Sequence, residues 1–367
     1  MKILLIGEYS NVHASLAEGL RAIGHKVTVV SDGDGWKNYP RDINVARRTG
    51  ELGGILLMAR LYTLLPKLRG YDVVQLINPM FFELKAERLF FFYDYLRKHN
   101  RSVFLGAFGM DYYWVHECIE RKPLRYSDFN FGDQLRTDDS AMRERQDWLG
   151  TAKERLNKLI AEDCDGIITG LYEYQVCYKP NFPDKTRFIP YPIKMPNHNR
   201  IAEPHDKLKL FIGISKKRSS YKGTDIMLKA AEAIALKYSR KVDLNVANGL
   251  PFVQYKKRLD ASDVILDQLY SYTPAMNALL AMSKGIIVVG GGEPENYEIL
   301  GEQELRPIIN VEPNYESVYH ELEELVLHPE RLAELKRQSI EYIHKHHDYQ
   351  KVAKAYETFY NEKSQKV

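Results

Sequence analysis

The sequence predicts an α/β protein made of two Rossmann-like domains that face each other across a cleft. Three observations support this prediction. Short apolar runs alternate with helical patterns along both halves of the chain, a polar segment separates the halves, and a length of 367 residues suits two domains. Because 44% of the residues are hydrophobic, the chain has enough apolar material for a core, which excludes a wholly disordered protein.

The first half is a series of strand–helix units. Residues 3–6 form a continuous apolar run closed by Gly7, the pattern of a parallel strand buried on both faces. Apolar residues then recur at helical spacing up to Gly24, and 26–30 is a second strand, so the chain opens with a right-handed crossover unit. The alternation continues with helices expected over 54–67, 86–98 and 151–161, strands over 73–77, 103–107, 166–169 and 187–189, and an irregular aromatic stretch over 112–147.

Residues 193–207 are polar and carry two prolines, which indicates an interdomain linker. We therefore place the first domain at 1–195 and the second at 196–346. The second domain repeats the architecture of the first without repeating its sequence. Strands are expected over 208–213, 242–246, 264–266 and 286–289, and helices over 226–234, 318–326, 332–343 and 349–360.

Charge and cysteine content exclude several classes of protein. The chain has 52 Lys and Arg against 49 Asp and Glu, a net charge of +3, which gives no case for nucleic-acid binding. Cys118, Cys164 and Cys177 form no CxxC or CxxH motif, so neither a zinc module nor a disulfide framework is expected. The apolar core of the N-terminus is too short for a signal sequence, and no apolar run of about 20 residues occurs. We expect a cytoplasmic protein without a bound metal.

The first loop, GEYSNVHASL, contains one glycine, whereas a dinucleotide site needs several. A dehydrogenase is therefore disfavoured. The loop places Ser10, Asn11 and His13 at the start of a helix. Two interpretations stay open: Ser10 or Asn11 caps the helix, or these side chains contact a sugar or acceptor in the cleft.

Asp111 follows the predicted strand 103–107, in the segment FGMDYYW. Functional groups collect where strands end, and a carboxylate there could bind hydroxyls or transfer a proton. The alternative is a turn residue that accepts from local backbone amides. The aromatic residues 112–114 either belong to the core or stack on a ligand.

The segment GISKKRSSYKGTD, residues 213–225, links a strand to a helix and contains Lys216, Lys217, Arg218 and Lys222. Four cations in a short loop repel one another unless an anion is close, and the following helix N-terminus adds partial positive charge. The pattern predicts phosphate binding, with a solvated basic loop as the alternative.

A second glycine-rich segment, VVGGGEPENYEIL, places Gly290, Gly291 and Gly292 between an apolar strand and a helix. Backbone amides at such a turn can bind a diphosphate, although the glycines could serve only a tight turn. Glu293 and Glu295 follow directly.

Upstream of this glycine-rich segment, polar residues surround a predicted buried helix. Asp267 and Gln268 end a strand at the rim of the sheet, and Thr273 and Asn277 lie near the start of the helix. Asn277 could cap that helix or face a ligand.

Taken together, these motifs resemble the GT-B-fold glycosyltransferases of the large retaining family 4, the glycosyl transferases group 1, over nearly the whole chain. KKRSSYKGTD is similar to the family loop in which an Arg and a Lys bind the donor diphosphate. Lys222 matches the Lys, and either Lys217 or Arg218 matches the preceding cation. The last helix, within 347–367, resembles the family helix that crosses back to the N-terminal domain.

Two further positions carry the resemblance in the N-terminal half. The stretch ending at His13 resembles the first loop of the family, and the stretch 109–111, Gly-Met-Asp, resembles its strand-end GSD motif. The resemblance therefore implies that His13 and Asp111 act in the catalytic site.

One departure concerns the paired glutamates of the family, which lie eight residues apart around EAMAxG. The corresponding segment NALLAMSKG places Tyr272 and Leu280 at these positions. Neither side chain is a carboxylate, so the usual acceptor for the ribose hydroxyls is absent. Glu293 or Glu295 could substitute from the neighbouring loop.

The resemblance implies transfer of a sugar from a nucleotide-diphosphate sugar to an acceptor hydroxyl, in a hexosyltransferase-type reaction without a cofactor. Residues 1–195 would be the acceptor side, with Ser10 and Asn11, and 196–346 the donor side. Lys222, Lys217 or Arg218 and the amides near Gly291 and Gly292 would stabilise the leaving diphosphate. Bacterial surface polysaccharide synthesis on a glycan or lipid-linked acceptor is the expected setting. The alternatives are a non-catalytic GT-B paralogue that binds a nucleotide sugar or a partner protein, and a sugar-nucleotide epimerase.

Basic residues on helices of the N-terminal half raise the question of membrane contact. Arg60, Lys67, Arg69 and Lys98 could form a surface that touches anionic lipid. The alternative is an ordinary solvated helix face.

Overall fold

A computed structural model describes residues 1–50, 52–196, 206–214 and 222–364. The chain forms two compact units, unit 1 and unit 2. Unit 1 comprises Met1–Pro123, Met142–Lys194 and Tyr349–Val367, and unit 2 comprises Leu124–Ala141 and Met195–Asp348. The expected first domain, 1–195, contained the segment 124–141, which the structure groups with unit 2.

Both units are of the α/β class. The strands are β1 (Lys2–Ile6), β2 (Lys26–Ser31), β3 (Ile43–Asn44), β4 (Val73–Leu76), β5 (Ser102–Ala107), β6 (Asn130–Phe131), β7 (Gln134–Leu135), β8 (Gly166–Thr169), β9 (Thr186–Phe188), β10 (Leu208–Ile214), β11 (Val242–Asn248), β12 (Val264–Leu266) and β13 (Ile287–Val289).

Helices cover or connect these strands. They are α1 (Val12–Ala22), α2 (Gly53–Leu64), α3 (Ala86–His99), α4 (Tyr112–Glu120), α5 (Asp139–Trp148), α6 (Ala152–Asp163), α7 (Tyr172–Tyr178), α8 (Thr224–Lys237), α9 (Phe252–Asp260), α10 (Met276–Met282), α11 (Pro294–Leu300), α12 (Tyr315–Leu327), α13 (Arg331–Tyr342) and α14 (Tyr349–Ser364). No helix in the described ranges is both long enough and apolar enough to cross a membrane.

Unit 1 contains a seven-stranded parallel sheet in the order β3-β2-β1-β4-β5-β8-β9. β1 lies between β2 and β4, with Ile3 opposite both Val27 and Val73. Its apolar residues, Ile3 to Ile6, are completely buried because helices cover both faces of the sheet. This is why β1 is a continuous apolar run rather than an alternating one.

Unit 2 contains a four-stranded parallel sheet in the order β11-β10-β12-β13. Side chains of β10, β12 and β13 pack against α8 and α12 in a single apolar core, in which Ile212, Met227 and Leu322 are completely buried. A short antiparallel hairpin of β6 and β7 also belongs to this unit.

The predicted α/β class and the main strands are confirmed, whereas the interpretation of 112–147 as irregular is wrong. This stretch contains α4, α5 and the β6–β7 hairpin. The turn of the hairpin is Gly132–Asp133, with Gly132 at a φ of 54°. A two-residue loop that begins with glycine at positive φ is a favoured hairpin connection.

The C-terminal helix α14 packs on α1 within unit 1. The two helices approach closely at Gly19, where an added Cβ would lie 2.3 Å from the Tyr349 carbonyl oxygen and 2.9 Å from Ala353 Cβ. Only a glycine allows the two helices to approach this closely, because the nearest atom belongs to the backbone and not to a flexible side chain that could move.

We predict that Gly19→Ala lowers the free energy of unfolding by about 1–3 kcal/mol, because overpacking outweighs the gain in helix propensity. The matched control is Gly54→Ala in α2, where the nearest atoms are 3.8 Å away on the Arg47 side chain. That control is expected to be neutral or stabilising by up to about 1 kcal/mol. Urea denaturation followed by circular dichroism measures both. Equal effects would contradict the close packing of α14 on α1.

Candidate functional site

Unit 2 places a connected group of polar side chains at the carboxyl end of its sheet, where parallel α/β sheets commonly bind ligands. Asp267 directly follows β12, and its Oδ1 accepts from Asn277 Nδ2 at 2.9 Å. Asn277 Nδ2 also lies 3.1 Å from the Tyr255 hydroxyl. These bonds connect β12, α9 and α10. The predicted donor-binding residue Asn277 therefore lies in the first turn of α10, bonded to a carboxylate.

Lys222 lies at the same edge of unit 2, just before α8. Its carbonyl accepts from the Leu269 amide at 2.9 Å, and its side chain is partly buried. Gly223 has a φ of 68°, and an added Cβ would lie 2.6 Å from Leu269 Cβ, so this approach requires glycine. The other predicted phosphate-binding cations, Lys217 and Arg218, lie outside the described residues.

The glycine-rich loop after β13 packs against the same edge. Gly290 has a φ of 104°, and an added Cβ would lie 2.3 Å from the Gln268 carbonyl oxygen. The Gly292 amide donates to Asn310 Oδ1 at 3.3 Å. The glycines therefore serve a tight turn against the protein's own backbone, and a contact of Gly291 or Gly292 with a diphosphate stays a prediction.

The two glutamates after this loop are both bound by Arg125, from the segment 124–141. Arg125 Nη2 donates to Glu293 Oε2 at 2.7 Å and to Glu295 Oε2 at 3.2 Å, and Nη1 donates to the other oxygen of Glu295. Glu293 Oε1 accepts from the Tyr126 hydroxyl at 2.7 Å. We define Arg125, Tyr126, Tyr272, Glu293 and Glu295 as the arginine cluster.

The charges of the arginine cluster are stabilised by their mutual contacts. Hydrogen bonding to Glu295 raises the pKa of Arg125 above its already high ordinary value. Burial raises the pKa of Glu295, but the hydrogen bonds from Arg125, a backbone hydrogen bond and the charge of Arg125 together outweigh burial and lower that pKa overall. Arg125 and Glu295 are therefore charged at neutral pH.

Tyr272, which the resemblance places at the first of the paired glutamates, is the most buried aromatic ring of the arginine cluster. The Tyr126 ring lies 4.7 Å from the Tyr272 ring, and Arg125 Cζ lies 5.0 Å above it. The Tyr272 hydroxyl accepts from the Tyr126 amide at 3.3 Å, and burial raises the pKa of Tyr272 to about 12. The position therefore holds a neutral phenol in place of a carboxylate. Leu280, at the second position, is partly buried in α10.

A second set of contacts holds the segment 124–141 on unit 2. Arg136 Cζ lies 5.0 Å from the Phe131 ring and 4.8 Å from the Tyr270 ring. Sequence reasoning missed this segment and its role. The available signal was the Gly132–Asp133 pair of the hairpin, which predicts a turn but does not predict where the hairpin docks.

In unit 1, the predicted catalytic residue His13 is completely buried. Its Nδ1 lies 2.9 Å from the Gly7 carbonyl oxygen and its Nε2 lies 3.1 Å from Gln75 Nε2. Burial lowers the pKa of His13 to about 3, so the ring is neutral, donates from Nδ1 and accepts at Nε2. Gln75 Oε1 in turn accepts from the Tyr360 hydroxyl of α14. His13 thus joins β1, β4 and α14, and substrate contact would require these bonds to break.

Asp111, the other predicted catalytic residue, is also completely buried and caps α4. Its Oδ1 accepts from the Trp114 amide at 2.8 Å and its Oδ2 accepts from the Tyr178 hydroxyl at 2.7 Å. Burial raises the pKa of Asp111 to about 7. These contacts are those of the structural alternative, and the aromatic residues 112–114 belong to the core.

Ser10 and Asn11, the predicted acceptor-side residues, are partly exposed after the carboxyl end of β1. Both adopt left-handed backbone conformations, with φ values of 52° and 76°. The Ser10 amide donates to Asp34 Oδ2 at 2.8 Å, and its hydroxyl accepts from Lys37 Nζ at 3.1 Å. They remain at the sheet edge, where a contact with an acceptor stays a prediction.

Of the two interpretations left open for Ser10 and Asn11, side-chain capping of α1 is wrong, because Glu8 accepts from the first amides of the helix instead. Glu8 accepts from the amides of Ala14 at 2.8 Å and His13 at 3.3 Å, and Asn11 makes no capping bond through its side chain. Burial raises the pKa of Glu8 to about 7, although the backbone bonds oppose this shift. Since Glu8 precedes the helix by several residues, the usual spacing of a cap did not identify it.

The carboxylates in the described ranges do not converge on a metal. No group of three or more His, Cys, Asp or Glu side chains there could hold an ion. Glu293 and Glu295 share Arg125 instead.

Solved structures show which fold this architecture represents. No protein-family model matches the sequence, and no curated protein sequence matches it. A sucrose-phosphate synthase from Thermosynechococcus elongatus matches with a TM-score of 0.60 and 13% identity, covering 99% of each chain. Anabaena HepE in complex with UDP matches with a TM-score of 0.57 and 12% identity, covering 99% of this chain and 100% of HepE.

A third match is the S. aureus MnaA–UDP co-structure, with a TM-score of 0.53 and 12% identity, covering 96% of this chain and 94% of MnaA. These matches extend over both units and confirm the predicted GT-B fold, with its two Rossmann-like halves. At this level of identity they establish the fold alone.

We predict that Arg125→Ala lowers the free energy of unfolding by about 1–3 kcal/mol, because it leaves the buried carboxylate of Glu293 with one fewer partner. The matched control is Arg337→Ala. Arg337 also bonds two glutamates, Glu334 and Glu341, but all three side chains are more than half exposed. That control should cost less than about 1 kcal/mol. Arg125 is itself exposed, so the contrast with Arg337 lies in the partner carboxylate, and similar losses in urea denaturation would contradict the effect assigned to the burial of Glu293.

We also predict a pH dependence from Asp111. Its pKa is about 7 in the folded chain against an ordinary 3.8, so its contribution to stability is complete below about pH 4 and is lost as the pH rises through 7. The comparison protein is Asp111→Asn, which keeps a capping side chain. Relative to it, the wild type should lose about 1.4 kcal/mol of its free energy of unfolding for each unit by which the folded pKa of Asp111 exceeds 3.8. Urea denaturation across this pH range measures the difference. Parallel curves for the two proteins would show that Asp111 titrates normally.

Proposed function

We propose that the protein is a glycosyltransferase that transfers a sugar from a nucleotide-diphosphate sugar to an acceptor hydroxyl. The observation that carries this proposal is the polar edge of unit 2, where Lys222, Asp267, Asn277 and the glycine-rich loop come together at the carboxyl end of a parallel sheet. HepE, a solved protein of the same fold, holds UDP. UDP is therefore the first nucleotide to test.

Lys222 supplies positive charge for the leaving diphosphate. It directly precedes Gly223 and α8, so a basic residue lies next to a helix N-terminus, which itself carries partial positive charge. Departure of a diphosphate builds up negative charge, and fixed positive groups stabilise that charge most when they are in place beforehand. We propose on this basis that the reaction needs no metal ion, and we take retention of configuration from the family resemblance.

Carboxylates are strong acceptors for sugar and ribose hydroxyls, and Tyr272 and Leu280 do not supply one. Asp267 offers a carboxylate at the edge, held in place by Asn277. Glu295 offers a second one, because its side chain is less buried than that of Glu293. We assign hydroxyl recognition to Asp267 and Glu295, and we assign Glu293 to the positioning of Arg125.

On the acceptor side, the buried positions of His13 and Asp111 favour a structural role for both. The proposed acceptor contacts are therefore Ser10 and Asn11, which lie at the carboxyl edge of the unit 1 sheet. A glycan or a lipid-linked sugar in a bacterial surface polysaccharide is the acceptor class that the family resemblance favours.

A second candidate is a non-catalytic paralogue that binds a nucleotide sugar or a partner protein. The observation that favours it is the arginine cluster, because a neutral phenol replaces one family glutamate and Arg125 binds both neighbouring carboxylates. This candidate and the transferase share the fold, but only the transferase would consume a nucleotide sugar.

We predict that UDP raises the melting temperature of the wild type and that Lys222→Ala abolishes most of this shift. A ligand at 100 times its Kd adds about 2.7 kcal/mol of stability, which thermal shift detects. GDP, ADP, CMP and dTDP are tested beside UDP, with Lys229→Ala on the exposed side of α8 as the matched control.

Two results decide between the candidates. A nucleotide that shifts the wild type and Lys229→Ala but not Lys222→Ala identifies the donor base, and release of that nucleotide from its sugar conjugates then supports the transferase. Binding without turnover in the presence of glycan and lipid-linked acceptors favours the non-catalytic paralogue. If none of the five nucleotides shifts the wild type, the proposed donor site is wrong.

A further inference from the structure

Helix α2 is apolar on the side that faces away from the core of unit 1. Leu57 and Leu61, one turn apart, are buried against the core. In a helix of an ordinary soluble domain the opposite side would be polar. Here large apolar side chains are exposed on that side, namely Ile55 (66% exposed), Leu56 (49%) and Tyr62 (46%), and Leu52 (65%) directly precedes the helix.

The apolar surface continues onto α3. The Tyr62 ring lies 5.3 Å from the ring of Phe91, which is itself exposed, and 5.6 Å from the buried ring of Phe92. Leu52, Ile55, Leu56, Tyr62 and Phe91 are hereafter the α2 face. Single exposed apolar residues are common, but five on two adjoining helices and the residue that precedes α2 form a patch of the kind that marks an interaction surface.

Positive charge is concentrated around the α2 face. Residues 45–70 contain five basic side chains and one acidic side chain, whereas the whole chain has a net charge of only +3. The rest of the protein is therefore slightly acidic. The basic residues of this segment, all exposed, are Arg47, Arg48, Arg60, Lys67 and Arg69.

The exposed residues of the neighbouring helix α3 add no net charge, and its partly buried Arg97 is paired with Asp165 at 2.7 Å. Its exposed residues Glu87 and Asp94 offset Arg88 and Lys98. Lys98 pairs with Asp94 at 2.8 Å, so this lysine, one of four basic residues considered from the sequence, does not contribute to the positive surface.

We propose that the α2 face binds the surface of an anionic lipid bilayer. The apolar side chains enter the boundary between headgroups and acyl chains, and the surrounding Arg and Lys side chains bind lipid headgroups. The bilayer fits both properties of the surface, because it offers hydrocarbon and negative charge together. Helix α2 is 12 residues long and therefore lies in the interface, since a span needs about 20 residues.

The position of α2 in unit 1 relates this membrane contact to the acceptor side. α2 is part of the connection from β3 to β4, and both strands belong to the parallel sheet, so the connection leaves from the carboxyl edge of unit 1. Ser10 and Asn11 follow β1 at the same edge. A bilayer bound by the α2 face would bring a lipid-anchored acceptor to the acceptor side. The delivery of an acceptor rests on the proposed function, whereas the membrane contact does not.

Sedimentation with vesicles tests the proposal on the full-length protein. We expect the wild type to sediment with vesicles of phosphatidylcholine containing about one-third phosphatidylglycerol, and much less with phosphatidylcholine alone. Raising the salt concentration from 0.1 to 0.5 M should weaken binding, because it screens the charged contacts. Arg60→Gln with Lys67→Gln should reduce binding roughly fivefold for each basic residue removed.

The apolar residues are tested by the triple variant Leu52→Gln, Ile55→Gln, Leu56→Gln, which should reduce binding by at least about tenfold. The matched control is Leu236→Gln with Val253→Gln, two apolar residues of unit 2 that are 82% and 79% exposed. The control should bind vesicles like the wild type. Since all these positions are exposed, each variant should melt within a few degrees of the wild type.

Three outcomes overturn the proposal. One is a wild type that does not bind anionic vesicles. Another is a triple variant that binds as well as its control. In the third, light scattering shows a dimer for the wild type and a monomer for the triple variant, and the wild type does not bind vesicles. That result would assign the α2 face to contact with a second copy of the chain. The nucleotide-induced melting shift of the triple variant is measured separately, so a failed donor site and a failed membrane surface are told apart.

Discussion

The ion pairs of Arg125 determine the electrostatics of the unit 2 edge. Glu293 and Glu295 directly follow the glycine-rich loop, and two uncompensated carboxylates there would repel any diphosphate bound near Lys222. Arg125 compensates one of these charges and draws both carboxylates toward itself. It comes from a segment 170 residues away in sequence from Glu295, so the character of this edge depends on the segment 124–141 being part of unit 2.

Local patterns in the sequence were sufficient for most strands of the two parallel sheets, but they missed β3 and were insufficient for the segment 124–141. The strand β1 was predictable because a strand buried on both faces must be apolar at every position. The docking of the β6–β7 hairpin depends on Arg136 between two aromatic rings, one of them from Tyr270. No period or local motif encodes such a contact between residues far apart in sequence, so this part of the site could not be predicted.

The candidate site shows the same limit. Lys222 was expected before a helix and Asn277 near the start of another, and both lie there, because helix starts follow from the alternation of elements. The direction of a side chain does not follow from it. His13 and Asp111 also lie near strand ends, yet both turn inward, where His13 joins Gly7 to Gln75 and Asp111 caps α4. Residue type and position therefore identify candidates, and burial decides which of them a substrate can reach.

The arginine cluster does not by itself remove carboxylate chemistry from the unit 2 edge. A carboxylate oxygen has two lone pairs, so an oxygen that accepts from Arg125 can still accept from a hydroxyl. Arg125 instead fixes the orientation of both side chains, and a fixed acceptor loses less entropy when it binds a ligand. Glu295 is more exposed than Glu293 and is therefore the better placed of the two. Tyr272 is a neutral phenol that supports Arg125 and Tyr126 by stacking, so Glu295, in the first turn of α11, is the carboxylate that the proposed hydroxyl recognition requires.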